Sequence, residues 1–278
     1  MTCFTLNGKA VISQSSPSTR LSEVLRSEMG LSGTKIGCNA GDCGACSVLL
    51  DEEPICSCLT TVAQVGGAKV TSIEGLNAEN IISNLQESFL AHGAAQCGIC
   101  TPGMMVAAHA LLLKNPNPNR CDVEDALGGV LCRCTGYGKI IDAVLAVNSD
   151  RPTKSLPKVG CSVGIPIRHL DGQSKVDASL AFGDDAAPQD SMMVRVIRSP
   201  HHYASFKIGD KAAFLSNHPE IMAVLDASDV PGRNCFGVIP PFADQPVFAE
   251  ETALYRGDAV AAIVGEADVI TRFDEADF

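Results

Sequence analysis

Residues 37–46 read Gly-Cys-Asn-Ala-Gly-Asp-Cys-Gly-Ala-Cys, and this stretch decides the fold of the first part of the chain. Its cysteines, Cys38, Cys43 and Cys46, have the C-x4-C-x2-C spacing of plant-type [2Fe–2S] sites. The glycines between them permit positive φ angles and let backbone amides approach a cluster closely, which side chains would prevent. The stretch therefore predicts a loop wrapped around an iron–sulfur cluster.

A fourth thiolate is needed to complete such a site, and two cysteines downstream can supply it. Cys58 is the expected ligand, because residues 57–59, Ser-Cys-Leu, begin an apolar turn into the domain. Cys56 remains a rival for this position. Zinc is the weaker alternative, since its sites are commonly built from two closely spaced ligand pairs.

A second quartet of cysteines follows later in the chain. Cys97 and Cys100 form a C-x2-C pair, and Cys132 and Cys134 form a C-x-C pair. Thiolate suits both zinc and iron–sulfur clusters, so the second quartet by itself leaves both metals open. The first site favours a cluster, because a chain that binds one cluster gains function from a second within electron-tunnelling range. The eight cysteines together predict an electron relay.

The other cysteines and the histidines are expected to have structural roles. A free cysteine behaves as a small apolar residue more often than as a ligand. His201 and His202 look like a metal pair, but adjacent residues on a strand point to opposite faces. His92 and His109 are expected on helices as partly buried polar residues. The cysteines outside the two favoured quartets are Cys3, Cys56, Cys121, Cys161 and Cys235. We predict no catalytic residue in this chain.

Composition limits the partners and the location of the protein. The 278 residues carry a formal net charge of −11 at pH 7, and the sequence pI is about 4.9. No nucleic-acid partner is expected, because phosphate binding depends on clustered lysine and arginine. The first residues show no signal pattern, and the longest apolar run, residues 104–113, is too short to span a bilayer. Thirteen cysteines in a chain of this size favour bound metal over disulfides, so a cytoplasmic protein without a membrane span is expected.

The pattern of residues 1–74 predicts a small β-grasp, ferredoxin-like domain around the first cysteine loop. A hairpin is expected at residues 2–13, because Asn7-Gly8 is a turn dipeptide between two alternating segments. Ser18 or Thr19 is expected to cap a helix that continues to about Met29. Short strands are expected at residues 47–50 and 69–72.

Residues 75–147 are predicted to form a four-helix domain that carries the second quartet. Apolar residues recur at helical spacing over 81–90, and Thr101-Pro102 supplies an N-cap and a first-turn proline for a helix to about Lys114. Asp122 is expected to cap a shorter helix over 123–127, and a fourth helix is expected over 139–147.

The second half of the chain follows a predicted linker at residues 148–160, which contains prolines and no periodic pattern. Residues 161–278 are then expected to form a mixed α/β domain. The overall fold class is therefore α+β, with strands predicted in the last domain at residues 192–197, 203–208, 221–225 and 259–264.

Four runs of the first half resemble the signature sequences of the xanthine oxidase family of molybdenum hydroxylases. They are residues 37–46, 57–60 (Ser-Cys-Leu-Thr), 96–104 (Gln-Cys-Gly-Ile-Cys-Thr-Pro-Gly-Met) and 131–137 (Leu-Cys-Arg-Cys-Thr-Gly-Tyr). The resemblance covers about residues 3–147, and both quartets occur in the family's order with their neighbouring residues.

The resemblance extends more weakly into the second half. Residues 172–176, 182–185, 196–201 and 255–261 are similar to the a/b hammerhead domain that opens the family's molybdopterin-binding part. Unlike xanthine oxidase itself, this chain has no flavin domain before that segment. It also ends at Phe278, before the regions that hold molybdenum, the substrate and the catalytic glutamate in the family, so the chain is not expected to turn over alone.

The resemblance implies a role for each cluster. In the family, a substrate such as an N-heteroaromatic compound or an aldehyde is oxidised at molybdenum, and electrons then pass through the cluster of the helical domain and the cluster of the β-grasp domain. Cys38, Cys43, Cys46 and Cys58 would hold the outer cluster. Cys97, Cys100, Cys132 and Cys134 would hold the inner cluster, and Gln96 and Cys134 would contact the pterin.

The resemblance also implies partners. The molybdenum cofactor would be held mainly by a large molybdopterin-binding subunit, and electrons would leave for FAD on another subunit or for another acceptor. The alternative is a free-standing ferredoxin-like carrier, and a zinc-stabilised interaction module ranks third. Residues 160–278 discriminate between the first two, because a carrier has no use for a hammerhead domain.

Overall fold

The computed structural model of the protein describes residues 1–77, 80–149, 157–165, 167–183, 185–188 and 190–278. Contacts divide the chain into a first unit, Met1–Asp185, and a second unit, Ala186–Phe278. Residues 150–156 of the predicted linker lie outside the described residues. The domain bounds proposed from the sequence therefore remain predictions.

The first unit opens with the expected hairpin. Strand β1 (Thr2–Leu6) pairs antiparallel with β2 (Lys9–Ser13). Asn7 and Gly8 join them with φ angles of 50° and 77°. Two-residue hairpin loops require positive φ at both positions, which asparagine and glycine tolerate best. The hairpin prediction is confirmed.

Three further strands complete one five-stranded sheet beside the first cysteine loop. Their spatial order is β2-β1-β5-β3-β4, with β1 parallel to β5 and the other pairs antiparallel. The predicted strand at residues 47–50 is confirmed, and the one at 69–72 ends a residue earlier. These strands are β3 (Ser47–Leu50), β4 (Glu53–Cys56) and β5 (Lys69–Thr71).

The helix that packs on this sheet differs from its prediction. Helix α1 (Leu21–Glu23) starts after Arg20 and continues as a π-helical turn, Val24–Glu28, so neither Ser18 nor Thr19 is its cap. The Ser18 hydroxyl lies 3.1 Å from the Ser16 hydroxyl instead. The N–H of Leu21 donates to the Thr60 carbonyl at 2.7 Å, so this N–H is satisfied without a side-chain cap.

Helices dominate the rest of the first unit, and the predicted four-helix arrangement is confirmed in its main elements. Helix α4 is the centre: Met104, Met105 and Ala108 are fully buried, as expected for a helix that is apolar on all sides. Phe89 and Ile140 pack into the same core from two neighbouring helices. The helices are α2 (Ile73–Leu76), α3 (Asn80–His92), α4 (Thr101–Lys114), α5 (Arg120–Leu127), α6 (Gly138–Leu145) and α7 (Gly172–Val176).

Two predicted helix caps are wrong. Asn119, not Asp122, caps α5: its side chain accepts the Asp122 N–H at 3.1 Å, and the Asp122 carboxylate accepts the Asn119 N–H at 2.9 Å. Helix α4 begins one residue early, because the Cys100 carbonyl accepts its first intrahelical bond from Met104 at 2.9 Å. Thr101 is therefore a helical residue and Cys100 is the cap.

The second unit contains a three-stranded antiparallel sheet of order β6-β10-β8 and a separate two-stranded sheet. The strand predicted at residues 203–208 covers only two residues, 204 and 205. His201 and His202 lie in a bend before it, so the argument that neighbouring strand residues point to opposite faces does not apply to them. Ile197, Ile263 and Ile270 form the core. The elements are β6 (Met193–Arg198), β7 (Ala204–Ser205), α8 (Lys211–Asn217), β8 (Ile221–Leu225), β9 (Thr252–Ala253), β10 (Ala259–Gly265) and α9 (Ala267–Arg272).

The α+β fold class is confirmed by these elements. In the part of the chain that the structure describes, no helix combines the length and apolar character needed to cross a membrane.

Candidate metal centres

The first quartet lies on the loop that leads into β3 and in the turn that follows β4. Two glycines of the loop adopt left-handed conformations, Gly41 at φ 84° and Gly44 at φ 66°. A side chain at Gly37 would place its Cβ 2.9 Å from the Cys43 sulfur, and one at Gly41 would meet the Leu59 side chain at 2.3 Å. These glycines therefore leave the space around the thiols that the sequence motif predicts.

Cys38 and Cys43 form an outward-facing pair. The Cys38 sulfur accepts the N–H groups of Ala40 at 3.3 Å and Cys43 at 3.4 Å, and the Cys43 sulfur accepts the Cys38 N–H at 3.3 Å. The Ala40 amide, followed by the Cys43 amide, lowers the pKa of Cys38 to about 7. Hydrogen bonds to sulfur favour its anionic form, which is the form that binds metal.

Cys46 and Cys58 form the inward pair of the same quartet. Both are buried, with about 2 % of their surface exposed, and their thiols are hydrogen-bonded to each other. Burial, followed by the Cys46 thiol, raises the pKa of Cys58 to about 11. Without a metal, the Cys58 thiol therefore keeps its proton.

The rival Cys56 also lies beside this quartet. Its thiol is half-buried and 3.8 Å from the Gly41 carbonyl oxygen. Burial raises the pKa of Cys56, and the thiols of Cys46, Cys43 and Cys38 raise it further. Both Cys56 and Cys58 thus reach the cluster loop, and the choice of Cys58 as the fourth ligand remains a proposal.

The second quartet shows the same division into two pairs. The thiols of Cys97 and Cys134 are hydrogen-bonded to each other, and both residues are exposed. This bond from Cys97 is the main cause that raises the pKa of Cys134. Cys100 is buried and Cys132 is half-buried, and their thiols also form a hydrogen bond.

The two thiols of the inward pair in the second quartet have pKa values shifted in opposite directions. Burial, followed by the neighbouring Cys132, raises the pKa of Cys100 strongly. Burial acts in the same direction on Cys132, but hydrogen bonds from the side chain and backbone of Thr135 outweigh it and lower the pKa of Cys132. One thiol of this pair is therefore prepared for deprotonation and the other loses its proton only to metal.

The arrangement fits a [2Fe–2S] cluster at each quartet, because each of its two irons takes two thiolates. One pair in each quartet faces outward and one faces the core. Among the described residues, no group of three or more histidine, cysteine, aspartate or glutamate side chains is arranged to hold a single metal ion.

Tyr137 is a supporting residue to which the sequence analysis gave no role. Its hydroxyl accepts the N–H of Cys132 at 2.9 Å and lies 3.4 Å from the Val130 carbonyl oxygen. Its own backbone adopts a left-handed conformation, with φ 66°, immediately before α6. The sequence run Cys-Arg-Cys-Thr-Gly-Tyr does not show this backbone angle, so sequence spacing alone gave no signal for the role of the tyrosine.

The loops of the two quartets touch through their backbones. The N–H of Leu131, the residue before Cys132, donates to the carbonyl of Cys43 at 2.9 Å. A Cβ on Gly44 would lie 2.1 Å from the Gly129 carbonyl oxygen, and one on Gly103 would lie 2.5 Å from the Gly44 carbonyl oxygen. One hydrogen bond therefore links a cysteine of the first quartet to the residue beside a cysteine of the second.

The remaining predicted positions lie at the surface or partly buried. Gln96 is half-buried and directly precedes the exposed Cys97. His92 is half-buried and its Nδ1 lies 2.8 Å from the Ser88 carbonyl oxygen, whereas His109 is buried within α4. Cys3, Cys121 and Cys161 are exposed, and the half-buried Cys235 points its thiol at the Ala243 carbonyl oxygen, 3.1 Å away.

Both quartets lie within regions that match iron–sulfur family models. Residues 4–65 match the model of the 2Fe-2S iron-sulfur cluster binding domain, and residues 72–145 match the model of the [2Fe-2S] binding domain.

Two relatives and one solved structure extend the similarity. The chain is 33 % identical over 273 residues to the aldehyde oxidoreductase of Megalodesulfovibrio gigas, covering 91 % of this chain and 30 % of that protein. It is 44 % identical over 147 residues to a probable xanthine dehydrogenase subunit of Bacillus subtilis, covering 53 % of this chain and 84 % of that polypeptide.

The crystal structure of the aldehyde oxidoreductase from Desulfovibrio desulfuricans superposes with a TM-score of 0.84 and 31 % identity, over 98 % of this chain and 32 % of that one. The chain thus spans about a third of the length of the aldehyde oxidoreductases that it matches.

Gly103→Ala tests the contact between the loops. In a helix, alanine is ordinarily more stable than glycine by about 0.5–1 kcal/mol. Here the new methyl group would lie 2.5 Å from the Gly44 carbonyl oxygen, and overpacking of this kind costs about 1–3 kcal/mol. We expect a net loss of stability in urea denaturation followed by circular dichroism.

Gly138→Ala is the matched control, because Gly138 also lies in a helix and a Cβ there meets nothing within 4 Å. This variant should be as stable as the parent protein or slightly more stable. Equal effects of the two substitutions would contradict the close approach of the loops.

The pKa of Cys38 predicts its reactivity in protein freed of iron. With a pKa of about 7, its alkylation by iodoacetamide should rise roughly tenfold from pH 6 to pH 8 and then level off, because the thiolate is the nucleophile. Cys58, with a pKa of about 11, should stay almost unmodified over this range. Peptide mass spectrometry measures both rates, and a Cys38 rate that still climbs tenfold per pH unit above pH 8 would contradict the assignment.

Proposed function

The chain belongs to the xanthine oxidase family of molybdenum hydroxylases, and on that premise we propose that it is the iron–sulfur electron-transfer part of such an enzyme. One observation carries the proposal: two cysteine quartets, each divided into an outward and an inward thiol pair, lie on loops joined by a hydrogen bond from Leu131 to Cys43. A chain with this arrangement can accept an electron at one site and pass it to the other.

The eight thiols are proposed as the cluster ligands. The clusters would supply reversible one-electron transfer, and the chain supplies thiolates, surrounding amides and a fixed separation. Amides of Ala40 and Cys43 stabilise the charge on Cys38, and Thr135 does the same for Cys132. The proposed outer ligands are Cys38, Cys43, Cys46 and Cys58, and the proposed inner ligands are Cys97, Cys100, Cys132 and Cys134.

Electrons are proposed to enter at the second quartet and leave from the first. The exposed pair Cys97 and Cys134 and the adjacent Gln96 offer a thiol edge and an amide to a pterin, as the family resemblance implies. The large molybdopterin-binding partner would cover this edge. Transfer onward would use the hydrogen bond between Leu131 and Cys43, since a bonded path couples two sites better than a gap of the same length.

The family membership supports our proposal for the partners and the substrate class. Two relatives are named for aldehyde and for xanthine, an N-heteroaromatic compound, so we propose a substrate of one of these two classes. An FAD subunit or another acceptor would take electrons from the outer cluster. The second unit would join the molybdopterin-binding part as its hammerhead domain. None of the thirteen cysteines is in a disulfide, which suits the reducing cytoplasm, the location that we propose.

Iron analysis and electron paramagnetic resonance test the proposal. We expect about four irons per chain and two distinct [2Fe–2S] signals after reduction, because each quartet holds one two-iron cluster. Cys134→Ser should remove or disturb only the inner signal, and Cys43→Ser only the outer one. Cys121→Ser, which changes an exposed cysteine outside both quartets, should change neither. A single signal in the parent protein, or zinc at the second quartet, would refute the relay.

The fourth outer ligand is tested by a matched pair of variants. Cys58→Ser should abolish the outer signal, because the buried Cys58 pairs with Cys46 on the inward side. Cys56→Ser should retain that signal with little change in line shape. The reverse result would assign the ligand role to Cys56.

The enzyme context is tested by purification from the native host. A molybdopterin-binding polypeptide should remain associated with the chain through size-exclusion chromatography, and the complex should contain molybdenum by metal analysis. A chain that purifies alone, with both clusters and full electron-carrier activity, would favour the free-standing carrier.

A further inference from the structure

A segment outside both iron–sulfur family matches packs onto the loop of the second quartet. The matched regions end at residue 145. Residues 171–180, which we call the cover segment, include α7 and belong to the first unit. Gly98, between Cys97 and Cys100, is buried beneath this segment.

The contact with Gly98 is close. Gly98 has φ 96°, and a Cβ placed on it would lie 3.0 Å from Cγ of Lys175 and 3.5 Å from Cδ2 of Leu180. The aliphatic part of one lysine and one leucine therefore close over the backbone between two proposed inner ligands. Water is excluded from this side of the loop.

The cover segment is held firmly on the helical core. The Asn77 side-chain amide donates to the Asp177 carbonyl at 2.9 Å, and the Gln86 amide donates to the Val176 carbonyl at 3.3 Å. Val176 is fully buried within the same apolar core as the helices. The ammonium of Lys35 donates to the Leu180 carbonyl at 3.0 Å.

The charge carried by this segment is unevenly exposed to water. The Lys175 side chain is only 7 % exposed, and its ammonium lies 2.7 Å from the Asp171 carboxylate. The Asp171 side chain is 54 % exposed. Solvent therefore screens the charge of the carboxylate more than the charge of the ammonium.

We propose that Lys175 is a positioning residue that raises the reduction potential of the inner cluster. The inference rests on the proposed function, which places a cluster on Cys97, Cys100, Cys132 and Cys134. Reduction adds one electron to that cluster and neither forms nor breaks a bond. The Cγ of Lys175 contacts Gly98, and its buried ammonium lies three bonds further along the same side chain. A positive charge at that position stabilises the added negative charge. The inner cluster thereby accepts an electron more readily than it would without this charge. The residue responsible, Lys175, lies outside the two regions that match iron–sulfur family models.

Redox titration of the intact chain, followed by electron paramagnetic resonance, tests the proposal. Lys175→Met keeps the aliphatic contact with Gly98 and removes the charge. At the midpoint potential of the parent inner cluster, well under half of the inner clusters of this variant should be reduced. The midpoint potential of the outer cluster should not shift. Lys175→Arg should restore the parent midpoint, because it keeps the positive charge.

Asp171→Asn is a second variant, at a more exposed side chain. We expect it to shift the midpoint potential of the inner cluster in the opposite direction. Removing the carboxylate leaves the Lys175 ammonium uncompensated, so the inner cluster should be more than half reduced at the parent midpoint. This comparison decides the proposal even where Lys175→Met fails to assemble its inner cluster. Lys9→Met, at an exposed position of β2, is the control for a change of surface charge and should shift neither midpoint.

An inner midpoint that does not rise in Asp171→Asn, or one that does not fall in Lys175→Met, would overturn the role of Lys175. Those results would leave the two clusters in place. A parent protein without an inner signal or without its iron would instead overturn the proposed function, and with it this inference, so the two failures are distinguishable.

Discussion

The close contact between the two cysteine loops is the constraint on which the rest of the first unit depends. Gly44 and Gly103 allow two backbones to approach where any side chain would meet a carbonyl oxygen. The contact brings the N–H of Leu131 onto the carbonyl of Cys43. Helix α4 starts at the second loop and is buried along most of its length, so it holds this contact in place. The sheet and the helices therefore act as a frame that holds two metal sites at one separation.

Within that frame, burial divides each quartet into two unlike pairs. In each quartet one inward thiol, Cys58 or Cys100, has a pKa that burial raises. A cluster held by these buried thiols would have to displace their protons, so its binding free energy would be coupled to the protonation and the folding of their loops.

The sequence predicts most of this architecture, because spacing and glycine placement are local properties. The Asn7-Gly8 turn, the strand Ile221–Leu225 and the central helix follow from short-range rules. The cap predicted at Thr101 was wrong because the Cys100 carbonyl accepts the first backbone bond of α4. The cap predicted at Asp122 was wrong because the Asn119 side chain, three residues earlier, accepts the Asp122 N–H. The contact of Lys175 with Gly98 could not be predicted, since it joins residues that are far apart in the chain. The spacing of the cysteines likewise identifies candidate ligands, but it does not show which two thiols of a quartet lie next to each other.

The central claim is that two clusters lie close together across the contact between Cys43 and Leu131. Their magnetic interaction measures this most directly, because two paramagnetic centres split each other's signals only at short range. The fully reduced protein should show split or broadened [2Fe–2S] signals at low temperature, and the half-reduced protein should show one unsplit signal. Two signals that add without any interaction in the fully reduced protein would contradict the account.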